Sequence, residues 1–318
     1  MDKTGITMIG LSNSGKSCYL YAMYAQMAFG VNGFTFIPDD FDKGLDLEDQ
    51  WLKIVEEGKW PDSNVESSDY VFDCSHSFRK LISFHWHDYR GNILKERNNS
   101  EKTELFNKIN QSNSLILCIS AELLIALLNG SQSAALEIAK YGKILLDYRN
   151  ISNRTIPISI AITKSDIIAH DQSIFINGIK QLKEKYLNSL FTDNGNWFVM
   201  FVPVMLGEGL LNQEGKVSGT IAPKNIHLPV MFAIYATFNE LHNQTKNTSE
   251  ELKRSMTSEL NKSDWTKFWN GDSSNYYRNE LEKNNANLEA ISKDLARITA
   301  EFRDNSCLFF YNGKKVTV

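Results

Sequence analysis

The sequence predicts an α/β fold in which a mostly parallel sheet is covered by helices on both faces. Short apolar runs alternate along the chain with longer stretches whose apolar residues recur at helical spacing. Three of the runs are almost continuously apolar, as strands buried on both faces require; they are residues 115–119, 156–162 and 198–204. Parallel strands need a crossover between them, so this alternation indicates a parallel sheet with helical connections.

Length and composition are those of a globular protein. The chain has 318 residues, 42% of them hydrophobic, so it can bury a full core and still carry an extension or a second domain. Its formal net charge of −4 produces no overall field that attracts nucleic acid, and we expect no nucleic-acid partner.

The spacing of the cysteines and the length of the apolar runs indicate in which part of the cell the protein resides. The four cysteines form no C-x-x-C pair, which favours buried thiols in a reducing environment. No apolar run is long enough to cross a bilayer, and the first strand follows Met1 almost directly, without room for a signal peptide. We therefore expect a cytoplasmic protein without a membrane span.

Residues 10–17 match the phosphate-binding pattern G-x-x-x-x-G-K-[ST] without a mismatch. An apolar strand, residues 6–9, precedes them and a helix-compatible run, residues 18–27, follows. The alternative is a glycine-rich turn before an ordinary helix, but strand, loop and helix stand in the order that phosphate binding requires. We expect Lys16 to reach the β- and γ-phosphates and Ser17 to bind Mg²⁺; the other expected contacts come from Gly10, Ser12, Asn13, Ser14, Gly15 and Cys18.

The next elements lead from this loop to a second motif. A strand at residues 34–38 and an amphipathic helix at 45–56 end near Gly58 and the Trp60-Pro61 pair. Two β-like runs, 70–74 and 81–87, then form a predicted hairpin that leads into Asp88. Helices are predicted at residues 101–109, 121–148 with an interruption at Gly130, and 179–190.

Two short motifs follow predicted strands. In Asp88-Tyr89-Arg90-Gly91 the carboxylate can hold magnesium through water while the Gly91 N–H meets the γ-phosphate. In Thr163-Lys164-Ser165-Asp166 the carboxylate of Asp166 can accept both N1–H and the exocyclic amino group of guanine, a pair of donors that adenine lacks. The Lys164 stem can cover the base, so the motif favours a guanine nucleotide.

With these three motifs in order, the chain resembles the Ras-like (TRAFAC-type) P-loop GTPases over roughly residues 5–242. The resemblance implies their fold, binding of GTP or GDP with Mg²⁺, and GTP hydrolysis carried by Lys16, Asp88, Gly91 and Asn92. The long insertion before Trp60-Pro61 is similar to that of the bacterial double-GTPase-like proteins, which implies a role in a conflict or defence system. The alternatives are an ATPase or nucleotide kinase that uses the same loop, and a non-hydrolysing scaffold that holds nucleotide.

Departures from the family pattern predict slow hydrolysis. Asn92 stands in place of the water-orienting Gln, no threonine stands clearly in the first switch, and no arginine finger can be identified. The Ser-Ala pair expected after the strand at 198–204 is replaced by residues 203–207, and Thr163 replaces the usual Asn. A partner, a second copy or a cation would then have to accelerate the reaction. Asn13 is a candidate for binding K⁺; alternatively it only tolerates an unusual backbone angle.

The C-terminal part predicts a helical extension. We divide the chain into a GTPase domain, residues 1–242, and an extension, residues 243–318. Apolar residues occupy a and d heptad sites from Tyr277 to Phe302, with Asn284 at one d site. The seam can pair with a second copy as a coiled coil, with a protein effector, or with the rest of this chain. Asn312-Gly313 predicts a terminal hairpin that adds edge strands.

One pair of histidines lies outside these motifs. His85 and His87 share a strand face beside Asp88 and are candidate ligands of a transition metal. Without a third ligand, polar packing is the favoured interpretation.

Overall fold

The computed structural model describes residues 4–61, 67–89, 99–152, 154–213, 216–262, 272–303 and 307–318. The chain forms two compact units: Met1–Ala233 with Asn305–Val318, and Ile234–Asp304. The first unit is therefore assembled from two separate segments of the chain. The two units meet between residues 233 and 234 and between residues 304 and 305. They do not test the predicted domain boundary between residues 242 and 243, which stays a prediction.

The strands and helices have the following bounds. The strands are β1 Thr4–Gly10, β2 Phe34–Pro38, β3 Ser68–His76, β4 Arg79–Asp88, β5 Ser112–Ser120, β6 Ile158–Thr163, β7 Phe198–Pro203, β8 Met205–Gln213, β9 Lys216–Lys224, β10 Leu308–Tyr311 and β11 Lys314–Val316. The helices are α1 Lys16–Phe29, α2 Phe41–Val55, α3 Asn99–Gln111, α4 Ala121–Leu128, α5 Gln132–Ile151, α6 Gln172–Gln181, α7 Leu228–Lys262 and, in our numbering, α8 Asp272–Ala300.

Nine of the described strands form one sheet, in the order β11-β10-β7-β6-β5-β1-β4-β3-β2. Its centre is parallel, because β1 pairs with β4 and β5, β5 with β6, and β6 with β7 in parallel register. Both ends are antiparallel. A mostly parallel sheet flanked by helices, with a helical C-terminal region and a terminal hairpin, confirms the predicted fold class.

Parallel pairing brings the carboxyl ends of four strands to the same edge of the sheet. In the register, Met8 of β1 faces Asp88 of β4, Gly10 faces Cys118 of β5, and Ser120 of β5 faces Thr163 of β6. Ligands of open α/β sheets bind at this edge. Residues from four distant stretches of the chain therefore reach this edge.

The core explains why the central strands are so apolar. Residues 115–119 of β5 are all 0% exposed, as expected of a strand covered on both faces.

The predicted interruption at Gly130 is present: α4 ends at Leu128, and α5 begins at Gln132 after Ser131, whose hydroxyl caps its N-terminus. Two helices rather than one thus follow β5.

Three elements differ from the sequence-based expectations. The β8–β9 hairpin was not predicted, since its glycines obscure the alternation typical of strands. The helix expected at 179–190 is α6 followed by π and 3₁₀ turns. Helix α7 runs for 35 residues through the predicted boundary at 242, because a change from apolar to polar composition does not by itself end a helix.

The second unit contains most of α7 and the whole of α8. On α8 the predicted heptad seam includes the buried Ile291 and Ile298, and Phe302 just beyond the helix is buried as well. The Phe302 ring lies 6.2 Å from that of Tyr235, edge to face. The seam is thus apolar and largely covered, whereas a coiled coil with a partner stays a prediction.

Two further expectations concern the cysteines and membrane-spanning helices. All four cysteines are free; Cys74 and Cys118 are buried, and Cys18 and Cys307 are half-buried. In the part of the chain that the structure describes, no helix has both the length and the apolar character required to span a membrane.

Candidate functional site

The loop between β1 and α1 has the backbone of an anion-binding turn. Asn13 and Gly15 adopt left-handed conformations, with φ of 63° and 79°, and the Ser14 N–H donates to the Leu11 carbonyl at 3.1 Å. Turns of this kind direct successive N–H groups towards one point, and the amino end of α1 adds its dipole. The loop can therefore bind phosphate mainly through its backbone.

Two side chains from other elements fasten the loop. The Leu11 N–H donates to the hydroxyl of Tyr141 at 2.9 Å, and that hydroxyl donates to the Cys118 carbonyl at 2.7 Å. On the other side, the Thr163 hydroxyl donates to the Ser14 carbonyl at 2.6 Å. The loop is thereby held against β5 and β6.

The close packing of the loop against β5 requires glycine at position 10. A Cβ at Gly10 would lie 2.5 Å from Ser14 Oγ and 2.8 Å from the Cys118 carbonyl oxygen. Because such distances are far below van der Waals contact, only glycine allows the loop to begin against β5.

Lys16 lies folded back along the loop. Its Nζ donates to the carbonyl of Gly10 at 2.9 Å and, more weakly, to that of Leu11 at 3.4 Å. Burial lowers the pKa of Lys16, and the nearby Asp88 and Cys118 act in the opposite direction. An anion placed on the loop would offset this burial by supplying countercharge to the ammonium group.

Ser17 and Asp88 fit a magnesium ion by their chemistry and position. Asp88 is 2% exposed at the end of β4, next to β1, and Ser17 is half-buried in the first turn of α1. Hydroxyl and carboxylate oxygens are the ligands that Mg²⁺ prefers, and the ion commonly takes only one or two of them from protein. Two predicted catalytic residues, Gly91 and Asn92, lie outside the described residues.

A pocket of about 290 Å³ opens beside the loop. Six of the predicted site residues line it: Asn13, Gly15, Cys18, Thr163, Lys164 and Asp166. The remaining lining residues were not predicted, and they are Tyr19, Trp60, Pro61, Glu122, Ile167, Val204, Leu206 and Leu210. The phosphate loop and the Thr163–Asp166 motif therefore share one cavity.

Lys164 crosses the side of this pocket. Its backbone is left-handed, with φ of 53°, and its Nζ pairs with Glu122 Oε2 at 2.7 Å and approaches Asn13 Oδ1 at 3.4 Å. Glu122 stands in the first turn of α4, directly after the strand that ends at Ser120. In the sequence, only the position of Glu122 just after a predicted strand indicated that it could line the site.

Asp166 is half-buried and lies in the short turn that follows β6. Burial raises the pKa of its carboxyl group, and Glu122 acts in the same direction. The backbone N–H groups of Asp166 itself and of Leu210 donate to the carboxylate and oppose that rise, as does Lys164. The protonation of the Asp166 carboxyl group therefore depends on the groups around it.

Thr163 has a structural contact in addition to its place in the pocket wall. It is 3% exposed, and its hydroxyl donates to Ser14 at 2.6 Å and, more weakly, to the Ile119 carbonyl at 3.4 Å. Thr163 therefore fastens its motif to the phosphate loop.

The histidine pair lies on β4, just before Asp88. His87 Nδ1 is 2.7 Å from Asp69 Oδ1, and Lys108 Nζ is 3.0 Å from the other oxygen of the same carboxylate. Among the described residues, no group of three or more His, Cys, Asp or Glu side chains is arranged to hold a metal. The contacts of His87 support the packing interpretation.

Comparisons with known proteins match the chain only at the level of solved structures. No protein-family model and no curated protein matches it. The GTPase-like domain of Ski7 from S. cerevisiae, bound to GDP and inorganic phosphate, is 16% identical with a TM-score of 0.37, covering 64% of this chain and 43% of that one. The signal recognition particle receptor SRb-GTP/SRX complex from Chaetomium thermophilum is 13% identical with a TM-score of 0.38, covering 67% and 96%.

A third structure is the small COPII coat GTPase SAR1 from Encephalitozoon cuniculi in complex with GDP. It is 7% identical with a TM-score of 0.30, covering 58% of this chain and 60% of that one. The match thus spans well under the full length of the Ski7 and SAR1 chains. Similarities of this degree assign neither a family nor an activity.

Proposed function

We propose that the protein is a guanine-nucleotide-binding switch that hydrolyses GTP slowly with Mg²⁺. The observation that carries the proposal is the shared pocket, in which Asn13 and Gly15 of the phosphate loop and Lys164 and Asp166 of the second motif line one cavity. A nucleotide has to be held at its phosphates and at its base. A site that brings both sets of residues together has the chemistry for both.

At the phosphate end, the loop backbone and Lys16 bind the anion. The Lys16 ammonium group, which rests on the Gly10 carbonyl, exchanges that contact for the β- and γ-phosphates. Ser17 and Asp88 would hold Mg²⁺, which would supply positive charge to offset that of the phosphates. The buried position of Lys16 strengthens its attraction to phosphate, since little water screens it.

At the base end, Asp166 accepts the N1–H and the 2-amino group of guanine. Trp60 and Leu206 provide apolar surface, and Lys164 lines the same pocket. Adenine offers no such pair of donors to a carboxylate, so guanine binds in preference to it.

We infer slow hydrolysis from the sequence, in which no arginine finger can be identified. Transition-state charge at the γ-phosphate would then have to be stabilised by another molecule or by a cation. Asn92, one methylene shorter than glutamine, positions the attacking water less well.

The extension is proposed to carry the signal. Helix α7 begins at Leu228 within the first compact unit and continues into the second, so one helix belongs to both. We propose that the second unit reports the bound nucleotide to a protein effector or to a second copy, within a bacterial conflict or defence system. Mass measurement in solution with GDP and with a non-hydrolysable GTP analogue tests this, and an unchanged mass contradicts the second-copy version.

The nucleotide is tested by titrating the purified protein with labelled GTP, GDP and ATP, with and without Mg²⁺. Lys16→Ala should abolish binding. Asp166→Asn should shift the preference from guanine towards xanthine, whereas Asp193→Asn, which changes an exposed carboxylate outside the pocket, should leave it unchanged. A preference for ATP would replace the proposal with an ATPase or nucleotide kinase. Triphosphate that survives prolonged incubation would favour the scaffold.

Asn13 is proposed as the contact for an activating K⁺ ion. Its left-handed backbone, with φ of 63°, equally fits the alternative in which asparagine only tolerates the turn. Hydrolysis rates in potassium and sodium buffers separate the two, and equal rates reject the cation.

A further inference from the structure

The β8–β9 hairpin covers the pocket at the point where a Ser-Ala pair was expected. Leu206 and Leu210 of β8 line the pocket. Contacts near its base fix the hairpin, since Gln26 Nε2 donates to the Pro223 carbonyl at 3.1 Å and Asn225 Nδ2 donates to the Pro203 carbonyl at 3.0 Å. The hairpin is therefore a built part of the pocket wall.

A β-bulge interrupts the hairpin beside the pocket. Glu208 faces Thr220 and Leu211 faces Ser218, so Gly209 and Leu210 together stand opposite Gly219 alone. Gly209 is left-handed, with φ of 63°, and a Cβ at Gly219 would lie 2.6 Å from the Gly209 carbonyl oxygen. Both glycines are thus needed, one for its backbone angle and the other for its lack of a side chain.

The bulge frees a backbone donor for the pocket. Leu210 lies in the bulge, out of register with β9, and its N–H donates to the Asp166 carboxylate. A carboxylate has about four acceptor positions. Contacts with the N–H groups of Leu210 and Asp166 occupy part of them and restrict rotation of the group, so the remaining positions point in a fixed direction.

We propose that this bulge is the specificity element of the base pocket: through the Leu210 N–H it fixes the Asp166 carboxylate in the orientation that reads the 2-amino group of guanine. The inference rests on the proposed binding of guanine nucleotide. Leu210 is a positioning residue, because it acts on the base through Asp166.

Gly209 allows a matched pair of variants. A Cβ at Gly209 meets no atom within 4 Å, so neither Gly209→Asn nor Gly209→Val clashes at that atom. Asparagine tolerates the left-handed backbone, whereas β-branched valine does not. The two variants therefore differ mainly in whether the bulge survives.

The readout is the ratio of the dissociation constants for IDP and GDP, because hypoxanthine keeps N1–H but lacks the 2-amino group. We expect the wild-type protein and Gly209→Asn to prefer GDP by about tenfold or more, the value of a hydrogen bond to a charged group. In Gly209→Val the ratio should fall to about 1 to 3, since the carboxylate loses its orientation. Circular dichroism confirms that each variant is folded.

Leu210→Ala is the control for the side chain. It keeps the backbone N–H, so it should weaken both nucleotides while the IDP to GDP ratio is retained. An unchanged ratio in folded Gly209→Val, an equal loss of the ratio in Leu210→Ala, or wild-type protein that binds GDP and IDP alike would overturn the inference. Failure of wild-type protein to bind any guanine nucleotide would instead reject the proposed function, and the inference with it.

Discussion

The hydroxyl of Thr163 and the carbonyl oxygen of Ser14 lie 2.6 Å apart, which ties the end of β6 to the phosphate loop. These residues are 149 positions apart in the sequence, and both are buried. A change at the end of β6 can therefore reach the loop between β1 and α1 through one hydrogen bond.

Thr163→Val should weaken both stability and nucleotide binding. Valine has nearly the same shape but leaves the Ser14 carbonyl without this donor, which costs about 1 to 2 kcal/mol in the free energy of unfolding. We expect nucleotide affinity to fall by roughly threefold to tenfold, as measured by titration alongside urea unfolding. Thr163→Ser keeps the hydroxyl and is the control. Wild-type affinity in Thr163→Val would show that the contact does not organise the loop.

Lys16→Met should abolish nucleotide binding without loss of stability. Burial lowers the pKa of Lys16, so the charged amine opposes folding when no anion is present. Methionine fills similar space without charge, and the free energy of unfolding without nucleotide should rise by about 1 kcal/mol. Lys53→Met, at an exposed position on α2, is the matched control. A clear loss of stability in Lys16→Met would mean that the amine's contacts with the loop carbonyls outweigh its burial.

Tyr141→Phe should destabilise the protein. It leaves the Leu11 N–H and the Cys118 carbonyl without their buried partner, at a cost of about 1 to 3 kcal/mol. Tyr19→Phe is the control for stability measured without nucleotide, because the Tyr19 hydroxyl is buried and has no hydrogen-bond partner among the described residues. Equal effects of the two substitutions would contradict the role given to Tyr141.

Acid should destabilise the protein through His227. Burial lowers the pKa of His227 from 6.5 to about 4. Between these values the unfolded chain binds a proton that the folded chain does not, so stability is lost as the pH falls from 6.5 towards 4. The loss is at most about 3 kcal/mol. His227→Gln should flatten the dependence of unfolding free energy on pH in this window. An unchanged slope would assign the acid sensitivity to other groups.

The phosphate loop and the Thr163–Asp166 motif were predictable, because each is a short local pattern beside an apolar strand. Their meeting in one pocket also followed, since the ends of parallel strands lie at one edge. Trp60 and Leu210 were not predictable as pocket residues. Their places depend on how connections outside the motifs fold over the sheet, and no local pattern encodes that.

Helix α7 shows a second limit. Its apolar first part and polar second part differ enough in composition to indicate a boundary, yet backbone hydrogen bonding continues through Asn243. Composition reports burial, whereas continuity of a helix depends on the absence of breakers such as Pro and Gly.

The terminal strands limit how the chain can be shortened. Strand β10 pairs with β7, and Phe309 and Phe310 are buried there. Ending the chain at residue 304 would strip the cover from β7 and leave an apolar sheet edge open to aggregation. A fragment that keeps this cover is better made by deleting the internal segment 234–304 and joining its flanks with a flexible linker.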